Sequence, residues 1–117
     1  MARLSTHVLD TSQGRPAAGI AVNLYRIAGA GREHCAGAVT NRDGRTDEPL
    51  LSGDQIPIGV YELVFAAGAY LRQQGVVLPD PAFLDEVVVR FGIAEPTGNY
   101  HVPLLLSPYG YSTYRGS

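Results

Sequence analysis

The sequence has only one cysteine among its 117 residues, so no disulfide can form within the chain. It has no cluster of Lys or Arg, and its 9 basic and 11 acidic residues give a net charge of −2. Phosphate binding depends on concentrated positive charge, so we do not expect nucleic acid as the main partner. No apolar run approaches the roughly 20 residues that span a bilayer, so we expect no membrane partner either.

The same absences bear on location and on domain organisation. Residues 1–7 read as a strand and not as a hydrophobic signal segment, which together with the lack of disulfides predicts a cytoplasmic protein. No internal repeat, linker or low-complexity tract divides the chain, so we expect a single domain over residues 1–117. Cys35, which stands beside Ala36, is expected to be a small core residue and not a nucleophile.

What the sequence does contain is a series of short strands. Runs of Val, Leu, Ile and Tyr alternate with clusters of Gly, Pro, Asp and Asn, which is typical of a sandwich or barrel. The predicted strands cover residues 4–9, 20–27, 33–40, 59–66, 86–93, 100–106 and 111–114. Residues 46–57 read as a loop with room for a short edge strand, and residues 66–74 as the only helix. The pattern predicts an all-β, two-sheet antiparallel β-sandwich of seven or eight strands with one short helix.

Two histidines are placed on the outside of this sandwich by the alternation of side chains along a strand. His7 lies on the face opposite Val8, which we assign to the core. His101 points outward together with Pro103 and Leu105. Because proline has no N–H for the ladder, Pro103 is expected at an edge or at a non-bonding position.

The outer face that carries these histidines is too apolar to face water comfortably. It bears Leu9, Pro103 and Leu105, and large exposed apolar patches usually mark an interface. We therefore expect another copy of the chain to cover it. Two imidazoles in a partly dry groove are suited to proton transfer near neutral pH.

Arg45 is the third candidate, because it follows directly on the Asp43-Gly44 turn. Its planar fork of donors can polarise a carbonyl or hold an anion. Each candidate also has an ordinary explanation: a lone strand histidine is most often a surface or core residue, and Arg45 beside Asp43 and Asp47 would form a surface charge pair. The residues alone support a binding or catalytic groove, with an oligomer interface as one place for it.

The two ends of the chain resemble the signatures of a known family, the 5-hydroxyisourate hydrolases, which are transthyretin-related enzymes of urate breakdown. The opening match is Leu-Ser-Thr-His-Val-Leu-Asp at residues 4–10, and the closing match covers residues 100–108 and 111–117. Between them, residues 14–17, 43–45 and 59–63 fall in the expected order. Transthyretins share the region at residues 105–109, but they lack both histidines and the Tyr-Arg-Gly-Ser ending.

The resemblance implies the transthyretin sandwich, assembled as a homotetramer that is a dimer of dimers with its site in the cleft between dimers. It implies hydrolytic opening of the six-membered ring of 5-hydroxyisourate, without a metal or other cofactor. The catalytic residues would be His7, Arg45, His101 and Ser117. His7, Arg45 and Tyr114 would bind the substrate, with the ring of Tyr114 narrowing the channel to a shallow pocket.

Two other functions stay open at this point. A binding protein on the same scaffold would use the channel to carry a ligand. A metal site built from His7 and His101 is the other alternative, since imidazole is a common zinc ligand, but no third ligand with motif spacing is apparent. No Ser-His-Asp order or nucleophile elbow is visible, so an activated water is expected as the nucleophile.

Overall fold

The computed structural model describes all residues from Met1 to Ser117. Nine strands and one helix form along the chain. In order they are β1 (Ala2–Asp10), β2 (Arg15–Pro16), β3 (Ala21–Ala28), β4 (Gly31–Val39), β5 (Leu51–Gly53), β6 (Gly59–Phe65), α1 (Ala67–Gln73), β7 (Val87–Ile93), β8 (Asn99–Ser107) and β9 (Gly110–Thr113).

The strands form two sheets. One has the order β2-β1-β8-β9, with β5 also paired to β1, and the other has the order β4-β3-β6-β7. All pairs are antiparallel except β1 with β8, which run parallel over eight residue pairs. A parallel pair needs a long connection, and here the whole second sheet lies between β1 and β8 in the sequence.

The core fills the space between the two sheets, because β1, β3, β6, β7 and β8 turn alternate apolar residues inward. In β1 these are Ala2, Leu4 and Val8, all fully buried. In β8, Leu104 and Leu106 are fully buried, and the second sheet contributes residues such as Val22, Leu24, Leu63, Phe65 and Val87. The opposite residues of β1 and β8 are left on the outer face of the first sheet, where the predicted histidines lie.

The predicted two-sheet sandwich with one short helix is confirmed. The structure has more strands than expected because β2 and β5 are edge pieces of two and three residues. The parallel direction of β1 and β8 was not foreseen, because alternation of side chains carries no information about strand direction. No helix is long and apolar enough to cross a membrane.

The placement of Cys35 in the core was wrong. Cys35 is exposed, not buried. It sits at a bulge where Tyr25 pairs with His34 and Leu24 with Ala36, so Cys35 has no partner on the neighbouring strand. Pro103 pairs in register with His7 and so keeps the expected outer face, although it is buried within its own chain. It lies one residue before the β8–β9 ladder begins.

Asp10, at the end of β1, is a fully buried carboxylate that ties the first sheet to the helix. It accepts hydrogen bonds from the Tyr70 hydroxyl at 2.8 Å, the Ser12 hydroxyl at 2.6 Å and the Gln13 amide side chain at 3.1 Å. Burial alone would raise the pKa of Asp10, but the hydroxyls of Ser12 and Tyr70, with the backbone N–H groups of Gln13 and Ser12, outweigh it and hold the pKa below its ordinary value. Burial and the Asp10 carboxylate raise the pKa of Tyr70 to about 12.

The lowered pKa of Asp10 predicts a stability that depends on pH. Its contribution is present above the ordinary aspartate pKa of about 3.9 and is lost as the pH falls through the lower folded-state pKa. At pH 7, Asp10→Asn should lower the free energy of unfolding by about 1.5–3 kcal/mol, the range for hydrogen bonds to a charged group. Urea unfolding at fixed protein concentration measures this.

The difference between Asp10→Asn and the unmodified chain should shrink as the pH falls from about 4 through the lowered folded-state pKa of Asp10, because below that pKa both carry a neutral side chain. Tyr70→Phe removes only one of the donors and should cost less. Equal stability of Asp10→Asn and the unmodified chain at pH 7 would contradict the stabilising role of the carboxylate.

Candidate active site

The parallel pairing of β1 with β8 determines which residue lies beside His101. In this register Ser5 lies opposite His101, and His7 lies opposite Pro103. The Ser5 hydroxyl oxygen is 2.9 Å from Nδ1 of His101, so the two side chains are hydrogen-bonded across the outer face of the sheet. His7 is two residues further along β1, on the same face, and both histidines are half-buried.

Arg45 reaches this face because its turn docks onto β1. Gly44, in this turn, adopts a left-handed φ of +75° and lies close to the β1 backbone. A Cβ on Gly44 would be only 2.3 Å from the carbonyl oxygen of Val8. The Val8 N–H donates to the Gly44 carbonyl at 2.8 Å, and the backbone of Arg45 pairs with that of His7 in a single antiparallel β-bridge. Only glycine allows this close approach, which sets Arg45 beside the histidine strand.

The same turn determines which ring nitrogen of His7 carries the hydrogen. Nε2 of His7 lies 2.7 Å from the backbone carbonyl oxygen of Asp43. A carbonyl oxygen only accepts, so Nε2–H of His7 is the donor. In the neutral imidazole the lone pair is then on Nδ1.

The last residues of the chain complete the site. The Gly116 N–H donates to the His101 carbonyl at 2.8 Å, and the two residues form a single antiparallel β-bridge. This bridge returns the segment after β9 to the start of β8 and brings Ser117 to the pocket described next.

These elements enclose a pocket of about 270 Å³. Its lining is almost entirely polar, and it comprises Arg3, Ser5, Arg45, Asn99, Tyr100, His101 and Ser117. Arg45 forms no ion pair with Asp43 or Asp47, since the only ion pairs of the chain join Glu62 to Arg32 and Arg90. The guanidinium of Arg45 is therefore available to a ligand and not part of the surface pair considered above.

Burial and the positive charges around this pocket lower the pKa of His101. Burial lowers the pKa of His101, and the positive charges of Arg45, His7 and Arg3 lower it further, against a smaller opposing effect of a hydrogen bond to the Ser5 backbone. A lowered pKa keeps this imidazole neutral at neutral pH, which is the form that can accept a proton.

The structure brings together most of the residues predicted for the site. Arg45, His101 and Ser117 line one pocket, and His7 is bridged to Arg45 at its border. Tyr114 is not among them, because β9 ends at Thr113 and Tyr114 lies beyond it. Tyr114 is 60% exposed and lines a separate groove between the sheets, with residues such as Val89 and Phe91.

Four residues of the pocket were missed by the sequence analysis: Arg3, Ser5, Asn99 and Tyr100. Arg3 and Ser5 share the outward face of β1 with His7 by simple alternation, which would have been enough to find them. Asn99 is found only from the register of β8 against β1, where it pairs with Arg3. No group of three or more His, Cys, Asp or Glu side chains lies in an arrangement that could hold a metal ion.

Comparison with known proteins shows to which family the chain belongs. The model of the HIUase/Transthyretin family matches residues 4–116. The chain belongs to this family. It is 63% identical to the 5-hydroxyisourate hydrolase of Mesorhizobium japonicum over 115 residues, which are 98% of this chain and 92% of that protein. The resemblance read from the two ends of the sequence is thereby confirmed.

Solved structures of similar proteins agree with the fold. (S)-allantoin synthase is 41% identical with a TM-score of 0.91; the match covers 99% of this chain, which spans 44% of that longer one. Sea bream transthyretin in complex with thyroxine is 29% identical with a TM-score of 0.83, over 97% of this chain and 94% of that one. The same fold is thus shared by proteins whose names indicate different functions.

The electrostatics of the pocket predict a response of His101 to the loss of Arg45. In Arg45→Ala the pKa of His101 should rise toward its ordinary value, because one of the cations that disfavours the imidazolium is removed. Titration of the imidazole signals by NMR measures the change. Arg42→Ala is the matched control, since Arg42 is exposed in the same turn but does not line the pocket, and an equal shift in both variants would contradict a specific effect.

Proposed function

We propose that this chain is a hydrolase of 5-hydroxyisourate that acts in urate catabolism. The observation that carries the proposal is the pocket in which Arg45, His101 and Ser117 meet, with His7 at its border. These are the residues implied by the hydrolase signatures, and the similarity to the Mesorhizobium japonicum hydrolase supports the same substrate.

The reaction is the addition of one water molecule. Water attacks a carbonyl carbon of the six-membered ring, the C–N bond to the ring nitrogen breaks, and the nitrogen takes a proton. The product is 2-oxo-4-hydroxy-4-carboxy-5-ureidoimidazoline. Such a step needs a base for the water, donors for the developing oxyanion and an acid for the leaving nitrogen.

The polar groups of the pocket are of the kinds this chemistry needs. One imidazole, His7 or His101, takes the proton from water, while the other and Arg45 stabilise the oxyanion and orient the ring. The Ser117 side chain hydrogen-bonds the substrate in the pocket. Tyr114 lies outside this pocket within one chain, so we propose that it contributes only in the cleft of the assembled subunits. No metal or other cofactor takes part in the proposed reaction.

The proposed assembly is a homotetramer, a dimer of dimers, whose cleft lies over the outer face of the first sheet. Leu9 and Leu105 are paired in register there, and both are only half-buried within one chain. Cover by a second dimer would remove them from water and dry the pocket beside them. We further propose that residues 1–117 act as one domain in the cytoplasm, without nucleic acid or a membrane as partner.

A carrier of small ligands is the second candidate, favoured by the similarity to a transthyretin that binds thyroxine. The lining of the pocket argues against it. Two arginines, a histidine and an asparagine make it polar and cationic, whereas carrier pockets for drug-sized ligands are lined mostly by apolar side chains.

The hydrolase proposal predicts the effect of removing one imidazole. His101→Ala should lower turnover of freshly prepared 5-hydroxyisourate by at least about 10²-fold, the smallest usual contribution of a general acid or base. Absorbance decay of the substrate, corrected for its spontaneous decay, measures the rate. His34→Ala is the control, because His34 lies on the other sheet and bonds only Asn23.

Each other outcome has a clear meaning. If the unmodified chain does not accelerate the decay, the carrier is favoured and the hydrolase proposal fails. If His101→Ala is folded and fully active, the assignment of His101 is refuted. Full activity after treatment with a strong chelator is expected; its loss would favour a metal site.

The proposed tetramer predicts the effect of a charge on the outer face. Leu105→Glu should shift the assembly from tetramer to dimer, because burying an unpaired carboxylate costs several kcal/mol. Sedimentation velocity measures the distribution. Val39→Glu is the control, as Val39 is 61% exposed at the edge of the other sheet. An unmodified chain that sediments as a monomer would refute the assembly.

A further inference from the structure

The imidazole of His101 is held on two sides by groups with no role in the proposed reaction so far. Ser5 bonds its Nδ1 at 2.9 Å. On the other edge of the ring, a Cβ built on Gly116 would lie 2.5 Å from Cδ2 and 3.2 Å from Cγ, so the ring lies directly against the bare backbone of that residue. Any side chain at residue 116 would have to displace the imidazole or the terminal segment.

These two contacts leave one nitrogen of the ring free. Nε2 of His101 has no hydrogen-bond partner within the chain and is not buried, and His101 lines the polar pocket. The group that faces a ligand is therefore Nε2, whereas Nδ1 is occupied by a residue of the neighbouring strand.

The charges around the ring decide which nitrogen carries the hydrogen. A serine hydroxyl can donate or accept, so the Ser5 contact alone allows both tautomers. Arg3 and Arg45 make the pocket cationic. A neutral imidazole is more stable with its lone pair toward positive charge and its N–H away from it, because the lone pair is the negative end of its dipole.

We propose that Ser5 and Gly116 are positioning residues for His101, which hold its ring in one orientation and one tautomer. Nδ1–H donates to the Ser5 hydroxyl, and the lone pair of Nε2 is presented to the pocket. His7 has the opposite tautomer, with Nε2–H bonded to the Asp43 carbonyl. The inference rests on the proposed function for its consequence in catalysis, but the tautomers can be measured without substrate.

The first test is the nitrogen NMR spectrum of histidine-labelled protein, recorded where the imidazoles are neutral and assigned with His34→Ala and His101→Ala. We expect a protonated Nδ1 in His101 and a protonated Nε2 in His7. Ser5→Ala should give His101 a mixture of tautomers, while Ser5→Thr, which keeps the hydroxyl, should restore the original signal. A protonated Nε2 in His101 of the unmodified chain would overturn the proposal.

The second test is kinetic. Ser5→Ala should lower the rate of hydrolysis about tenfold, since the loss of one hydrogen bond of about 1.4 kcal/mol corresponds to a factor of ten, and Ser5→Thr should recover most of it. The unfolding midpoints of the variants should stay close to that of the unmodified chain. A mere loss of stability would move the midpoint and leave the tautomer of His101 unchanged.

Gly116→Ala should lower the rate by at least as much as Ser5→Ala, because the added Cβ and the imidazole cannot keep their places together. Gly31→Ala is the matched control, since a Cβ on Gly31 would meet nothing within 4 Å, at the far sheet. Equal rates in Gly116→Ala and Gly31→Ala would refute the role of Gly116.

Failure of this inference can be told apart from failure of the proposed function. If the unmodified chain hydrolyses the substrate, but Ser5→Ala keeps both its rate and its histidine spectrum, only the positioning role is wrong. If the unmodified chain does not accelerate the decay, the proposed function is wrong, and the consequence for catalysis falls with it.

Discussion

The pairing of β1 with β8 is the constraint on which the site depends. These strands run parallel, in a register that puts Ser5 opposite His101. Because side chains alternate, a slip of one residue would turn the histidine of one strand into the core and an apolar residue out to water. The buried residues on the inner side, such as Leu4 and Leu104, exclude that slip. The packing of the sandwich therefore sets the geometry of the site on its opposite face.

The charges of the site are arranged around neutral imidazoles. Arginines from β1 and from the 41–45 turn line the pocket, and no carboxylate of the chain pairs with them. Two cations near a histidine disfavour its protonation, so the base and the oxyanion donors coexist at neutral pH without neutralising each other. The one buried side-chain carboxylate, Asp10, is satisfied at the other end of β1.

The sequence was sufficient for the sandwich and for the face of the two histidines, because both follow from alternation along a strand. It was not sufficient where a strand ends or shifts. Tyr114 lies one residue beyond β9, and Cys35 sits at a bulge without a partner on the neighbouring strand, and the sequence pattern shows neither feature. The contacts of Ser5 and Gly116 with His101 join residues far apart in the sequence, and only the register of strands reveals them. Resemblance to the family identified the terminal residues without explaining what their backbone does.

Both imidazoles are held partly by main chain. His7 bonds the carbonyl of Asp43, and the ring of His101 lies against Gly116. Evolution is therefore free to change the side chain at residue 43 as long as the turn survives, although it stands next to the site. Residue 116, whose side chain is a single hydrogen atom, has no such freedom. A survey of sequence variation that scores only chemically active side chains would misjudge both positions, in opposite directions.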